Sequence, residues 1–466
     1  MSTQQEQLTY IEKNLVFEIS KYFGKEAKLV SHRVECSNGL DGFMSALYNV
    51  ELELEISGEP RKETVLVKFM KGNKAFRSSS KSYTQFANEV FVYAEIIPAF
   101  EHLLRSSKLS TNLAVDMVPR CYRAEFGRIE GLGEDLESVL ALKHLTTDGF
   151  SLGPRIVLRH DQLEAMCAVV GTYHALGYAL RVVQPQVHER LRAGVIPLPF
   201  VADATQTTNI YHVLYSAAME RFYKFYDRKR QDLLKVDELE QDRRFAGALE
   251  LLREKYFAHP VKLLERIRTG SYDTAQTDSY FSTFLHGDFN RNNVLFHYSN
   301  SHGVGDGTVN GIKVIDFQEL RYSTPAIDLS FFMYMNTPPE DRDILFASLL
   351  RKYHKHMHEV LELVLQRNRN TLSEADLQGI LDNYSFERFE AHFNRYAFYG
   401  AMVCMHFKPW LLGTESDCEA LSKLFESDMH GTAFWQLSLD IAGDKANHEI
   451  FKIMRHAFKQ GYMDAI

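Results

Sequence analysis

His286-Gly287-Asp288-Phe289-Asn290-Arg291-Asn292-Asn293, followed after an intervening hairpin by Val314-Ile315-Asp316-Phe317-Gln318, is the part of the chain on which its reading turns. Transfer of a phosphoryl group needs a carboxylate to orient an acceptor hydroxyl and take its proton, and oxygen ligands to hold Mg²⁺ against nucleotide phosphates. Asp288 answers to the first requirement, Asn293 and Asp316 to the second. The five-residue step from Asp288 to Asn293 is that between base and metal ligand in a kinase catalytic loop, where a strand then leads to an Asp-Phe pair. Each piece alone is weak, since His-x-Asp and Asp-Phe both arise by chance. Asp288 and Asn293 would otherwise cap a turn and Asp316 end a strand. The ordered set, with apolar strands on both sides of the loop, favours the catalytic reading. His286 is read as a hydrogen-bonding support of the loop in preference to a proton shuttle.

Working upstream, the same chemistry asks for a cation on the phosphates and a carboxylate on the next helix to hold it. Lys68 in Val65-Leu66-Val67-Lys68-Phe69 fits, because an inward lysine among apolar neighbours is costly without anionic partners. The competing reading is an edge lysine on a solvent face. Glu89 is the first choice of partner and Glu95 the second. In Asn38-Gly39-Leu40-Asp41-Gly42-Phe43-Met44-Ser45, Gly39 and Gly42 would let the backbone approach phosphate, and an ordinary hairpin turn explains the segment equally well. No G-x-G-x-x-G or G-x-x-x-x-G-K-[ST] occurs, so dinucleotide and P-loop readings have no support.

Around these residues, Lys28–Cys36, Ser45–Ile56 and Glu63–Met70 alternate apolar and polar side chains and predict three antiparallel strands. Tyr83–Ile97 has helical spacing and is expected to stop at Pro98. Two strands are expected at Val118–Ala124 and Val139–Leu145, then a long helix over Asp161–Leu180 and further helices over Asn209–Leu234 and Asp242–Arg268. Val294-Leu295-Phe296 and Lys313-Val314-Ile315 flank a polar, Gly-rich tip, Ser299–Gly311, and the remainder is helical. The fold class is therefore α+β: a small antiparallel β-rich N-terminal lobe, residues 1–142, that binds nucleotide, and a larger, mainly helical C-terminal lobe, 143–466, with the catalytic loop and substrate pocket. A length of 466 residues accords with two lobes.

Composition narrows the classes. A net charge of −8 removes the general attraction to phosphate backbones, so nucleic acid is not an expected partner. Five scattered cysteines form no C-x-x-C pair, and the opening residues lack the pattern of a secretory signal, which together predict a reducing, cytoplasmic setting. No stretch of eighteen uncharged apolar residues occurs, so a transmembrane segment is not expected. His354, His356 and His358 alternate on a helix, where the first and last alone share a face, and they read as a surface cluster before a metal site. Phe389, Phe393, Tyr396 and Phe398 read as core, with some free to line an apolar pocket.

With these residues in view the chain resembles the ecdysteroid kinase-like family, related to choline and aminoglycoside kinases. Besides the loop and Ile315-Asp316-Phe317-Gln318, the resemblance rests on Val67-Lys68, Asn88-Glu89-Val90 before Tyr93, Val118-Pro119-Arg120-Cys121-Tyr122, Tyr173-His174-Ala175 and Pro325-Ala326-Ile327-Asp328-Leu329, in that family's order. It implies a bilobal protein-kinase-like fold, ATP and Mg²⁺ as cosubstrate and cofactor, and for some members phosphorylation of a steroid hydroxyl. By motif position Asp288 is the implied base, Asn293 and Asp316 the metal ligands, Lys68 the phosphate-binding lysine and Glu89 its partner. Leu145, in the segment joining the lobes, falls where backbone groups hold adenine. Where such proteins often carry an acidic residue before that leucine, this chain has Lys143-His144-Leu145. It is also long for the family, with the extra length expected in Ser299–Gly311 and around Asp227–Arg244.

The function these features predict is an ATP-dependent kinase acting on a hydroxyl of a lipophilic, ecdysteroid- or sterol-like alcohol. Its alternatives are a choline or xenobiotic-alcohol kinase and a pseudokinase that binds a lipophilic ligand without turnover. A binding-only protein has no physical need for the lysine, the base and two metal ligands together. A protein kinase is disfavoured because no Ala-Pro-Glu follows Asp316 and Pro325–Leu329 leads straight into a helix.

Overall fold

A computed structural model of the chain describes residues 2–36, 45–201, 209–273, 279–299, 307–369 and 372–466. Gly39 and Gly42 lie outside these residues. Two compact units, each of three segments, make up the chain: Met1–Leu152, Gln184–Pro197 and Asn292–Leu320 form the first, and Gly153–Val183, Leu198–Arg291 and Arg321–Ile466 the second. The first unit thus takes in chain beyond residue 142, including the hairpin that ends in Asp316.

The strands in chain order are β1 (Ala27–Cys36), β2 (Ser45–Ile56), β3 (Glu59–Met70), β4 (Cys121–Gly127), β5 (Glu137–Lys143), β6 (Ser151–Leu152), β7 (Thr283–Leu285), β8 (Val294–Tyr298), β9 (Val309–Val314) and β10 (Arg321–Ser323). In the first unit β1-β2-β3-β5-β4 form one antiparallel sheet. Its faces follow from alternation: Tyr48, Val50, Leu52 and Leu54 of β2 and Val65, Val67 and Phe69 of β3 are buried with Tyr10, Ile11, Leu15, Val16 and Ile19, while Glu51, Glu53 and Glu55 are exposed. Lys68 is out of phase with that core and so stands on the opposite face, level with Leu47 of β2 and Leu140 of β5. As β3 lies between two strands, Lys68 is not on an edge.

Helices α1 (Ser82–Phe91) and α2 (Ile97–Ser106) are joined by one widened turn, Val92–Ile96. The stop expected at Pro98 does not occur. Pro98 has no N–H and its ring crowds the carbonyl four residues back, and the wide turn, closed by the Ile97 N–H on the Val92 carbonyl, accommodates both. β4 and β5 are displaced from their expected bounds. Pro119 falls before β4, and Leu145, expected in a strand, instead opens a turn over Leu145–Asp148 that ends on Gly149 at φ +82°. β6, β8 and β9 make a second antiparallel sheet, in which the expected hairpin pairs Val294 with Val314.

The second unit is mainly helical. Its principal helices are α3 (His160–Val183), α4 (Ile210–Leu233), α5 (Ala326–Asn336), α6 (Arg342–Arg367), α7 (Phe398–Leu412) and α8 (Gly443–Lys459), with β7 paired to β10. The stretch Asp242–Arg268, expected as one helix, is two, Glu240–Tyr256 and Val261–Asp273, parted at Pro260 because the residue before a proline is pushed out of helical conformation. α5 crosses α7 at Gly400, whose N–H donates to Ser330 Oγ at 3.0 Å. By length and composition alone α3 is apolar enough to cross a membrane, with mean hydropathy 1.2 over its best window. In this fold 72% of that window is buried, as in the core helix of a packed unit.

Candidate active site

The residues singled out in the sequence fall into two clusters, one in each unit, and the division lies inside the loop itself, between Arg291 and Asn292. In the first unit Lys68 Nζ donates to Glu89 Oε2 and to Asp316 Oδ1, both at 2.7 Å. The lysine side chain is 12% exposed, that of Glu89 2% and that of Asp316 29%. Burial works against the lysine cation, but Asp316 and Glu89 outweigh it and raise its pKa. Burial lifts the Glu89 carboxyl to about 7 against the pull of Lys68, with Asp316 adding to the rise. Glu95, the second choice of partner, pairs instead with Arg190 at 2.7 Å.

Asp316 has φ 65° and ψ 60°, left-handed backbone that a non-glycine residue adopts at a cost and that clusters at functional sites. Its neighbours fix it: Phe317 packs edge-on against Tyr93 at 5.9 Å, and Gln85 of α1 donates to Glu319 at 2.6 Å. The helix that carries Glu89 therefore also anchors the turn that carries Asp316. The Ile315 N–H donates to the Asn293 carbonyl at 3.0 Å, extending the β8–β9 ladder by one step. Asn293 and Asp316 consequently leave the hairpin at the same end.

These residues fit a divalent cation. Asn293 and Asp316 offer an amide and a carboxylate, the hard oxygen donors that suit Mg²⁺. The departure at Lys143 is absorbed locally: its Nζ lies 2.7 Å from Glu63 and 3.3 Å from Asp148, while Tyr122 also donates to Glu63 at 2.7 Å. Burial would raise the Glu63 carboxyl, yet the bonds from Lys143 and Tyr122 bring it below its usual value. Leu145 is buried, and its carbonyl accepts from the Phe150 N–H at 3.2 Å.

In the second unit the loop is built around a residue that sequence reasoning left out of the site. Asp328, fully buried on α5, accepts the N–H groups of His286 and Gly287, both at 2.8 Å, and bonds His174 Nε2 at 3.2 Å. A carboxylate only accepts, so His174 donates from Nε2, and its Nδ1 is hydrogen-bonded with the Tyr353 hydroxyl at 2.9 Å. Gly287 at φ +84° makes the turn. The Asp288 N–H donates to His286 Nδ1 at 3.3 Å. Asn290 Nδ2 donates to Asp288 Oδ1 at 3.0 Å, and Asp288 itself is half-buried. The signal for Asp328 was present: a carboxylate inside the apolar run Ala326–Met335 demands buried donors. His354 and His358 do share a face, ring centres 5.6 Å apart, but are half-buried, with His354 donating to the Tyr384 carbonyl at 2.7 Å.

No curated protein matches the chain. Residues 39–366, which include Lys68, Glu89, Asp288, Asn293, Asp316 and Asp328, match the ecdysteroid kinase-like family, and the chain belongs to that family.

Proposed function

We propose that the protein is an ATP- and Mg²⁺-dependent small-molecule kinase that transfers the γ-phosphoryl group to a hydroxyl of a lipophilic alcohol in the cytoplasm, the acceptor being ecdysteroid- or sterol-like. The observation that carries this reading is Lys68 held between Glu89 and Asp316 on a buried sheet face. Such a triad is costly to bury and adds nothing to a protein that only stores a ligand.

Lys68, pinned by Glu89, neutralises phosphate oxygens, and Asn293 and Asp316 would hold the metal. Mg²⁺ bound there supplies the positive charge that stabilises the transferring group. Asn290 donates to Asp288 Oδ1, and Asp288 orients the acceptor hydroxyl and takes its proton. His286, Gly287 and Asp328 keep the loop in register and need no part in proton transfer.

The test is Mg²⁺-dependent ATP consumption by the purified protein over ecdysteroids, sterols, choline, ethanolamine and xenobiotic alcohols. Asp288→Asn is expected to lower acceptor-dependent turnover by at least about 10²-fold while nucleotide binding is retained. Acceptor binding without turnover anywhere in the panel would assign the protein a binding-only role.

A further inference from the structure

The two faces of the five-stranded sheet differ in how the first unit covers them. On the core face Tyr48, Val50 and Val67 are wholly buried. On the face that carries Lys68, the register sets Leu47 of β2 level with Lys68 and Leu140, and two residues along the strands it sets Asn49 level with Leu66 and Leu142. Leu47, Asn49, Leu66 and Lys68 are each half-buried, so the unit leaves this part of its surface open. Lys68 and Asn49 are the polar members of these two rows, and leucine fills the other positions. Lys68 is held by Glu89 and Asp316, whereas the Asn49 carboxamide has no hydrogen-bond partner among the described residues at either end. Its Oδ1 is sealed from solvent and its Nδ2 is not. A buried acceptor without a donor costs stability that a leucine at the same place on a strand would not. The two ends of the amide exchange by rotation about its last bond, so either can face the opening.

A nucleotide has three chemically distinct parts: a flat base that lies well on aliphatic side chains, a sugar that carries hydroxyl donors, and anionic phosphates. This face offers a match for each. Lys68 suits the phosphates, and Leu66 and Leu142 give the base an apolar surface. Asn49 is left for the sugar, whose hydroxyls both donate and accept, as its carboxamide does. Its place agrees with that role. Asn49 stands on β2, across β3 from β5, and roughly 7 Å along the strand from the level of Lys68. The pairing edge of a purine lies opposite the nitrogen that bears the sugar, so a base whose edge is turned towards the end of β5 and Leu145 directs its sugar towards β2. A leucine at 49 would cover a base equally well, and only a hydroxyl-bearing group gives the polar side chain a purpose there.

We infer that Asn49 selects ribonucleotides: its carboxamide hydrogen-bonds a sugar hydroxyl of the bound nucleoside triphosphate, so the site distinguishes ribose from deoxyribose and Asn49 does not read the base. This deepens the kinase reading and rests on it for the presence of a nucleotide, but the discrimination is measured as binding, without turnover.

The experiment is equilibrium binding of the magnesium complexes of ATP, 2′-deoxy-ATP, 3′-deoxy-ATP and GTP to the full chain and to Asn49→Leu, alongside melting temperature. The parent is expected to bind ATP roughly tenfold more tightly than one of the two deoxynucleotides, the worth of one hydrogen bond, and which of them is weak names the hydroxyl. Asn49→Leu should bind ATP about as weakly as that deoxynucleotide, whose own affinity should not change, because removing the second partner of a bond already lost costs nothing more. Its melting temperature should be held and its ratio of ATP to GTP affinity unaltered. Should the leucine variant fail to fold, Asn49→Ala carries the same test. Equal affinity of the parent for ATP and both deoxynucleotides, discrimination that survives in the variant, or a change in the ratio of ATP to GTP in its place would each overturn the inference and leave the kinase reading standing. A parent protein that binds no MgATP would sink the kinase reading and the inference with it.

Discussion

Asp328 shows how much of the loop over 286–293 depends on one buried charge. Its two oxygens take the N–H groups of His286 and Gly287 and the His174 ring, so each donor that water would have satisfied is satisfied inside the protein. Asp328→Ala leaves those donors buried and is expected to cost about 3–5 kcal/mol in urea denaturation. A loss under about 1 kcal/mol would mean that the loop is held by something else. Lys68, Glu89, Asp288, Asn293 and Asp316 could be singled out in the sequence because strand alternation and motif spacing act over a few residues. The pairing of Lys68 with Asp316 could not be, because those residues stand 248 positions apart. Asp328 was legible only as a landmark, although its place in an apolar run was the clue to its work.

Elements were read well where periodicity alone decides them and less well where a proline intervenes. β2 and β3 keep their expected bounds at the ends where the two-residue alternation is unbroken, and α3 contains the whole of the helix expected over Asp161–Leu180. Pro98 was read as a stop and proved compatible with a helix through one wide turn, whereas Pro260, read through, is a break. Neither outcome follows from the proline itself, since both depend on whether the neighbouring turn can repack. The crossing of α5 and α7 depends on a glycine in the same way. A Cβ on Gly400 would lie 2.3 Å from the Ser330 carbonyl carbon, and backbone cannot swing aside. Gly400→Ala is expected to destabilise the second unit by about 3 kcal/mol in thermal or urea melts. An alanine variant as stable as the parent would show that the two helices separate freely.

At the scale of the whole molecule, buried histidines couple stability to pH. Burial holds His406 down to about 3, and burial with Arg342 holds His456 of α8 down to about 4, against 6.5 for an exposed imidazole. Between about 6.5 and 4 the unfolded chain binds protons that the folded chain refuses, so stability is present above 6.5 and is lost as pH falls. The melting temperature should drop across that window, and His406→Phe should flatten the drop. A variant with the same slope as the parent would show that His406 protonates normally when folded. The family match stops at residue 366, so α7 and α8 lie beyond the matched residues. By itself the sequence determined the principal strands, the loop and the order of the candidate groups, because alternation, turn chemistry and motif spacing act over a few residues. Only the tertiary structure decided which carboxylates hold Lys68, which residue anchors the loop and what surrounds His406. Those partners come from distant parts of the chain, and packing alone brings them together.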